Sequence, residues 1–241
     1  MLDVFSHDQP NLTIAEIARR LKLPKATAHR YASSLVSAGL MSQNEDGTYA
    51  LGFRLIGLGA LARENLPLAT VCGPAVQWLA TETGEAVMLG VPDWVAGETV
   101  IVDRRIESQQ VLSVLAPVGG RTVIRSGLLS KALLMGLSAE DAAAFLDGAV
   151  FEPLTENTVT DVDELLAQLV ESRERGYVLE ENEVVPHVSG VGVPVQIDGG
   201  RPAGAIAIIG PTTRIKGRIH ELGETLRDAT QELRTSPAAG G

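Results

Sequence analysis

The sequence predicts an α+β protein in two parts. A winged helix-turn-helix comes first and, beyond a linker helix, a larger domain is built on an antiparallel sheet. Three observations predict this. Two helix-period segments separated by a tight turn precede a strand–turn–strand pattern within the first 52 residues. Later segments run as short apolar strands set among amphipathic helices. Charge is also divided unevenly between the two parts.

"LTIAEIARRL" reads as a helix opened by a capping box, with Thr13 three residues ahead of Glu16. Ile14, Ile17, Ala18 and Leu21 recur at helical spacing and form one apolar face. "KLP" is a turn, and Pro24 suits the start of a second helix. In that helix Ala28, Tyr31, Ala32 and Leu35 share one side, and Ala26, Arg30, Ser33 and Ser37 lie opposite. Gly39 ends it. "LMSQ" and "TYAL" around "NEDG" give a β-hairpin.

Small residues with a single arginine let a helix settle into the major groove of DNA. Arg30 then reaches base edges or phosphate, and Lys25, Thr27 and the helix N-terminus hold phosphates. Ala26, His29 and Ser33 complete the face, and the hairpin sets Gln43, Asn44 or Thr48 over the neighbouring minor groove or backbone. The same residue types also suit an ordinary solvated helix, and helix-turn-helix folds also serve protein contacts.

Residues 1–52 are thus a winged domain and residues 53–66 a linker helix carrying Phe53, Ile56 and Leu61, a dimer-forming element stopped by Pro67. Residues 67–235 form the second domain, and 236–241 a frayed tail. That domain opens with a helix through "PLATVCGPAVQWLATETG", with Val71, Ala75, Trp78 and Leu79 on one face. Strands follow at "EAVMLGV", "ETVIVDRRI" and "VLSVLAPVG", then helices at "SGLLSKALLMGL", "AEDAAAFL" and "DVDELLAQLVESRERG". "VSGVGVPVQI" and "PAGAIAIIG" pair through the turn Asp198–Gly199–Gly200, and a last helix repeats Ile215, Ile219, Leu222, Leu226 and Leu233.

The net charge is −10, yet residues 1–63 hold seven basic side chains against five acidic ones. The acidic excess lies wholly beyond them, so the two parts have different partners. No run approaches the roughly 18 apolar residues of a membrane span, and "MLDVFSHDQP" is no signal peptide; a cytoplasmic protein is expected. A single cysteine, Cys72, excludes an internal disulfide, and the four histidines lack metal-ligand spacing. Neither a cofactor fingerprint nor a catalytic pattern is present, so the chain reads as a non-enzyme without a cofactor.

"GGRTVIRSGLLSKALL" is the stretch suited to a ligand. A helix starting near Ser126–Gly127 offers free N–H groups to an anion, and Arg125 beside it can grip a carboxylate. Alternatively Gly119–Gly120 only turn the chain and Arg125 is exposed or paired. Glu180, Glu181 and Glu183 read as a solvated strand end.

The chain resembles the IclR-type transcriptional regulators. The resemblance rests on an ordered set: "LTIAEIARRLKLPKATAHRYASSL", "GTYALGFRLIGLG", "VGGRTVIRSGLLSKALL", "NTVTDVDELLAQLVESRERGYVLEENE", "GVGVPV" and "IIGP". It implies a DNA-binding winged helix, a GAF-like effector-binding domain, and homodimers, often paired into homotetramers, on operator DNA. It further implies effector contacts at the Leu128 and Leu129 N–H groups and at Glu180, Gly190, Ala207 and Ile209. Gly190, Ala207 and Ile209 replace a common cysteine and two common serines, which implies a more apolar effector than glyoxylate or pyruvate. Arg125, standing for the usual histidine, keeps an anionic effector in view. The start "MLDVF" falls inside what the resemblance implies is a longer first helix. Two other readings stand beside a repressor-type regulator: a small-molecule binder or enzyme whose helix-turn-helix meets proteins, and a regulator whose pocket Ile209 has filled.

Overall fold

The computed structural model describes residues 1–6, 8–106, 115–197 and 200–235, residues 234 and 235 by their backbone alone. The chain divides into two units, Met1–Leu66 and Pro67–Gly241.

In the first unit a 3-10 turn at Leu2–Val4 leads to α1 (Ile14–Arg20), α2 (Lys25–Ser37), β1 (Met41–Gln43), β2 (Tyr49–Leu51) and α3 (Arg54–Glu64). Thr13 caps α1 as its spacing predicts. Its hydroxyl accepts from the Glu16 N–H at 3.3 Å, and the Glu16 carboxylate accepts from the Thr13 N–H at 2.8 Å. β1 and β2 pair antiparallel, and Leu12 exchanges both backbone hydrogen bonds with Tyr49. The core gathers Leu12, Ile17, Ala32, Met41 and Tyr49. Ala28 and Ala32 are wholly buried, so the α2 backbone lies close on its support. That closeness leaves no depth for a phenol ring. Tyr31, expected on the inner side, is 47 % exposed, and the Arg30 guanidinium lies 5.5 Å from its ring centroid.

In the second unit α4 (Pro67–Thr83) precedes β3 (Ala86–Asp93), β4 (Glu98–Arg105), β5 (Arg121–Val123), α5 (Leu128–Met135), α6 (Ala139–Leu146) and α7 (Val162–Arg175). Then come β6 (Val178–Glu181), β7 (Val188–Val195), β8 (Gly204–Pro211), α8 (Thr212–Ile215), a 3-10 turn and α9 (Ile219–Thr235). The six strands form one antiparallel sheet in the order β5-β4-β3-β8-β7-β6. Alternation gives the sheet two buried faces. Met88, Ala205, Ala207 and Ile209 pack with α5, while Val87, Leu89, Ile206 and Ile208, one residue out of step, are buried on the opposite side.

Three expectations need correction here. Of the strand expected over Val111–Gly119, residues 111–114 lie outside the described ones and 115–119 form none; the edge strand is Arg121–Val123, paired with β4. α4 buries Leu68, Ala69, Cys72, Val76, Leu79 and Ala80, whereas Trp78 is half exposed. Its inner face is turned toward small residues that allow close approach to the sheet. The acidic run after Val178 is a paired strand, with Glu180 buried rather than solvated. Asp198, Gly199 and the tail 236–241 lie outside the described residues.

Candidate functional site

Two surfaces concern function, one in each unit. On α2, Lys25, Ala26, His29, Arg30 and Ser33 are exposed and Thr27 is half-buried, opposite the buried Ala28 and Ala32. Lys22 joins them: it takes φ 53° in the turn before α2 and is exposed. The sequence reading passed over Lys22 because a turn lysine carries no periodic signal. In the wing, Gln43 is exposed, but Asn44 and Thr48 hold the hairpin together. Asn44 Nδ2 donates to Asn11 Oδ1 and to Thr48 Oγ1, both at 3.0 Å, and Thr48 Oγ1 donates to Asp46 Oδ1 at 2.6 Å. The wing tip itself is acidic, with Glu45 and Asp46 exposed.

In the second unit a cavity of about 320 Å³ opens between α5 and the sheet. β7 and β8 set its floor through register: Glu180, Gly190 and Ile209 are successive partners across β6, β7 and β8. A Cβ on Gly190 would collide with the Ile208 carbonyl oxygen and lie 2.7 Å from Leu128 Cδ1. Glycine there is what lets α5 lie down on the sheet. Since the β8 backbone cannot yield, Gly190→Ala is expected to destabilise the domain by about 1–3 kcal/mol, read from its denaturant midpoint.

Leu128, Leu129, Glu180 and Ile209, all named from sequence, line the cavity together. Gly190 lies behind Leu128, and Ala207 is buried in the core without reaching the wall. Arg125 is half-buried and is not among the residues lining the cavity. Ile209 lines the space without filling it. The sequence reading missed Val184 and Val185 of the β6–β7 loop and Val188 at the start of β7, which cover the cavity. Their signal was legible: an apolar pair between an acidic run and Pro186 is unusual in a solvated loop. Asn182 and His187 bound this loop at φ 59° and 64°. Thr155 and Thr158 hydroxyls clamp it by donating to the Asn182 and Glu183 carbonyls, each at 2.6 Å.

Glu180, 5 % exposed, is the wall's ionisable side chain among the described residues. The Val184 N–H donates to its Oε1 at 3.2 Å. Burial first, and then the neighbouring Glu183, push its pKa up to about 7, while Lys131 and the Val184 and Leu128 N–H groups pull the other way. Lys131, itself buried, donates to Glu183 Oε1 at 2.7 Å and to Gln168 Oε1 at 3.0 Å. α5 starts at Leu128 after Gly127, which offers no side-chain cap; the Leu128 N–H goes to the Glu180 carboxylate, and Leu129 and Ser130, the next residues of the first turn, also line the cavity.

Catalytic chemistry finds little support in these groups. Burial pushes the Cys72 thiol up to about 12, which leaves it protonated and unreactive. Ser130 Oγ donates to the Val123 carbonyl at 3.0 Å. Among the described residues no cluster of histidine, cysteine or acidic side chains suits a metal ion, and no helix is long and apolar enough to cross a membrane.

Residues 60–235 match the model of the bacterial transcriptional regulator IclR C-terminal domain, and residues 1–45 that of the IclR helix-turn-helix domain. The chain is 27 % identical over 234 residues to the HTH-type transcriptional regulator KipR of Bacillus subtilis, covering 97 % of this chain and 92 % of that one. It is 26 % identical over 226 residues to the HTH-type transcriptional repressor AllR of Escherichia coli, covering 93 % and 82 %. An IclR homologue from Microbacterium hydrocarbonoxydans, solved in complex with 4-hydroxybenzoate, aligns with a TM-score of 0.82 at 25 % identity, over 97 % of this chain and 94 % of that one.

Proposed function

Because the chain belongs to the IclR family of bacterial transcriptional regulators, we propose that it reads operator DNA with α2 and releases or tightens that grip when a small, mostly apolar effector fills the cavity above Glu180. The observation that carries the DNA half is the two-sidedness of α2. Ala28 and Ala32 are wholly buried, while Lys25, His29, Arg30 and Ser33 stand outward with small Ala26 between them. Arg30 reads a base edge or phosphate; Lys22, Lys25 and Thr27 hold phosphates at the helix start. The wing contributes Gln43 alone. Asn44 and Thr48 shape the hairpin, and Glu45 and Asp46 repel phosphate.

The effector half rests on a walled cavity with one carboxyl, and on the 4-hydroxybenzoate complex of the Microbacterium homologue, whose domain accepts a small aromatic molecule. Two copies of the chain are proposed to pair through α3, which buries none of its residues within the chain and exposes Ile56 and Leu61 by 71 and 56 %, with its N-cap Phe53 exposed by 86 %. α3 leads directly into α4, so a change at the second unit alters the spacing of the two recognition helices on DNA.

Arg30→Ala tests the reading. Electrophoretic mobility shifts should show operator affinity falling by about ten- to a hundredfold, the equivalent of one bidentate base contact, with the fold intact by circular dichroism. Wild-type binding should also weaken steeply from 50 to 200 mM salt, roughly as each phosphate contact releases a counterion. Unchanged operator affinity in Arg30→Ala, or affinity insensitive to salt, refutes DNA reading by this face.

A further inference from the structure

We propose that the cavity takes an uncharged, mostly apolar molecule whose polar end is a hydroxyl, a phenol or alcohol, held between Glu180 and the start of α5. This rests on the reading of the cavity as the effector site and adds the chemical class of its occupant.

A carboxylate would face Glu180 with no cation among the described wall residues to offset it. Arg125 is not in the wall, and Lys131 is engaged by Glu183 and Gln168. The segments outside the described residues nearest in sequence, 107–114 and 198–199, contain neither lysine nor arginine. An ammonium would find Glu180, but it carries donors only and offers no acceptor to the Leu129 and Ser130 N–H groups of the first turn, since Glu180 takes that of Leu128. A hydroxyl does both: it donates to the Glu180 carboxylate and accepts from an α5 N–H. The remaining wall, with Met88, Ile101, Leu129, Val184 and Ile209, is apolar and rewards a hydrocarbon or aromatic body. At about 320 Å³ the space lies at the small end of ligand cavities.

Protons enter through Glu180, which Glu183 faces from the β6–β7 loop and Lys131 from α5. Its carboxyl titrates near pH 7, so a carboxylate probe binds only once Glu180 has taken a proton, and its affinity rises as pH falls. An alcohol accepts either form, since the protonated acid also donates and accepts.

Isothermal titration of the full chain with benzyl alcohol, benzoate and benzylamine, at pH 8 and pH 6, tests this. Benzyl alcohol is expected to bind at least about tenfold more tightly than the other two at pH 8 and to change little at pH 6. Benzoate should gain about tenfold between pH 8 and pH 6. In Glu180→Gln, benzoate should gain about tenfold at pH 8 and lose its pH dependence. Benzoate or benzylamine matching the alcohol at pH 8 overturns the proposal, as does the failure of all three to bind. Should the alcohol bind as expected yet leave operator affinity unchanged, the ligand class stands and the effector role falls.

Discussion

Lys131→Met is expected to destabilise the second unit by about 3–5 kcal/mol at pH 8. Methionine keeps most of the volume, so the loss is one of charge rather than of packing. Lys131 is 3 % exposed and its partner Glu183 13 %, which leaves solvent little part in screening either group. Without the ammonium, Glu183 stays buried beside Glu180, with Glu164 also repelling its charge, an uncompensated pair of buried acids. The Glu183 carboxyl is already raised above the usual carboxylate range, by burial first, and Lys131 is what holds it down. Its pKa therefore climbs further in the variant. Below the unfolded value of 4.5 both states bind the proton and the penalty vanishes, so the deficit should shrink as pH is lowered. Scanning calorimetry at pH 8 and pH 5 reads this directly. At about 2–4 °C per kcal/mol for a domain of this size, the midpoint should fall by roughly 10 °C at pH 8 and by clearly less at pH 5. Equal shifts at both pH values would mean that the pair is held by packing alone.

What the sequence discloses and what it conceals divide along the range of the interactions. The Thr13–Glu16 box, the α2 face and the "NEDG" hairpin are local, made by residues within one or two turns of each other, and the structure repeats them. The side of a helix that ends up inside is set by its support, which explains the two misplacements. Tyr31 and Trp78 are large apolar residues beside Ala28, Ala32, Ala69 and Ala80, and close packing on the alanines turns both rings outward. Periodicity marks an apolar stripe but not how deep its neighbour allows it to sink.

The cavity shows the same divide. Leu128, Leu129 and Glu180 were legible through the family resemblance, yet an acidic run gives no hint that one of its members is buried. That depends on β6 pairing with β7, on Gly190 opposite, and on Lys131 arriving from α5. Arg125 adjoins the helix start in sequence, but α5 begins three residues later, and the half-buried arginine is not among the residues lining the cavity.

The same acid makes the last expectation. Glu180→Gln should stabilise the second unit by about 3 kcal/mol at pH 8 and by nearly nothing at pH 4.5. In the folded protein the Glu180 pKa rises from 4.5 to about 7 because burial disfavours its charge. Below pH 4.5 folded and unfolded chains both carry the proton, and the carboxyl adds no penalty. Between 4.5 and 7 the unfolded chain gives up its proton while the folded one keeps it, so stability drains as pH rises. Above 7 the whole penalty is present. Glutamine has the same shape, can present an oxygen to the Val184 N–H, and never ionises. Thermal unfolding from pH 4.5 to 8.5 should show the two proteins coinciding in acid and separating by roughly 5–10 °C in base. Curves that stay together across the range would show that Glu180 is solvated in the folded state, and the cavity's charge logic would fail with it.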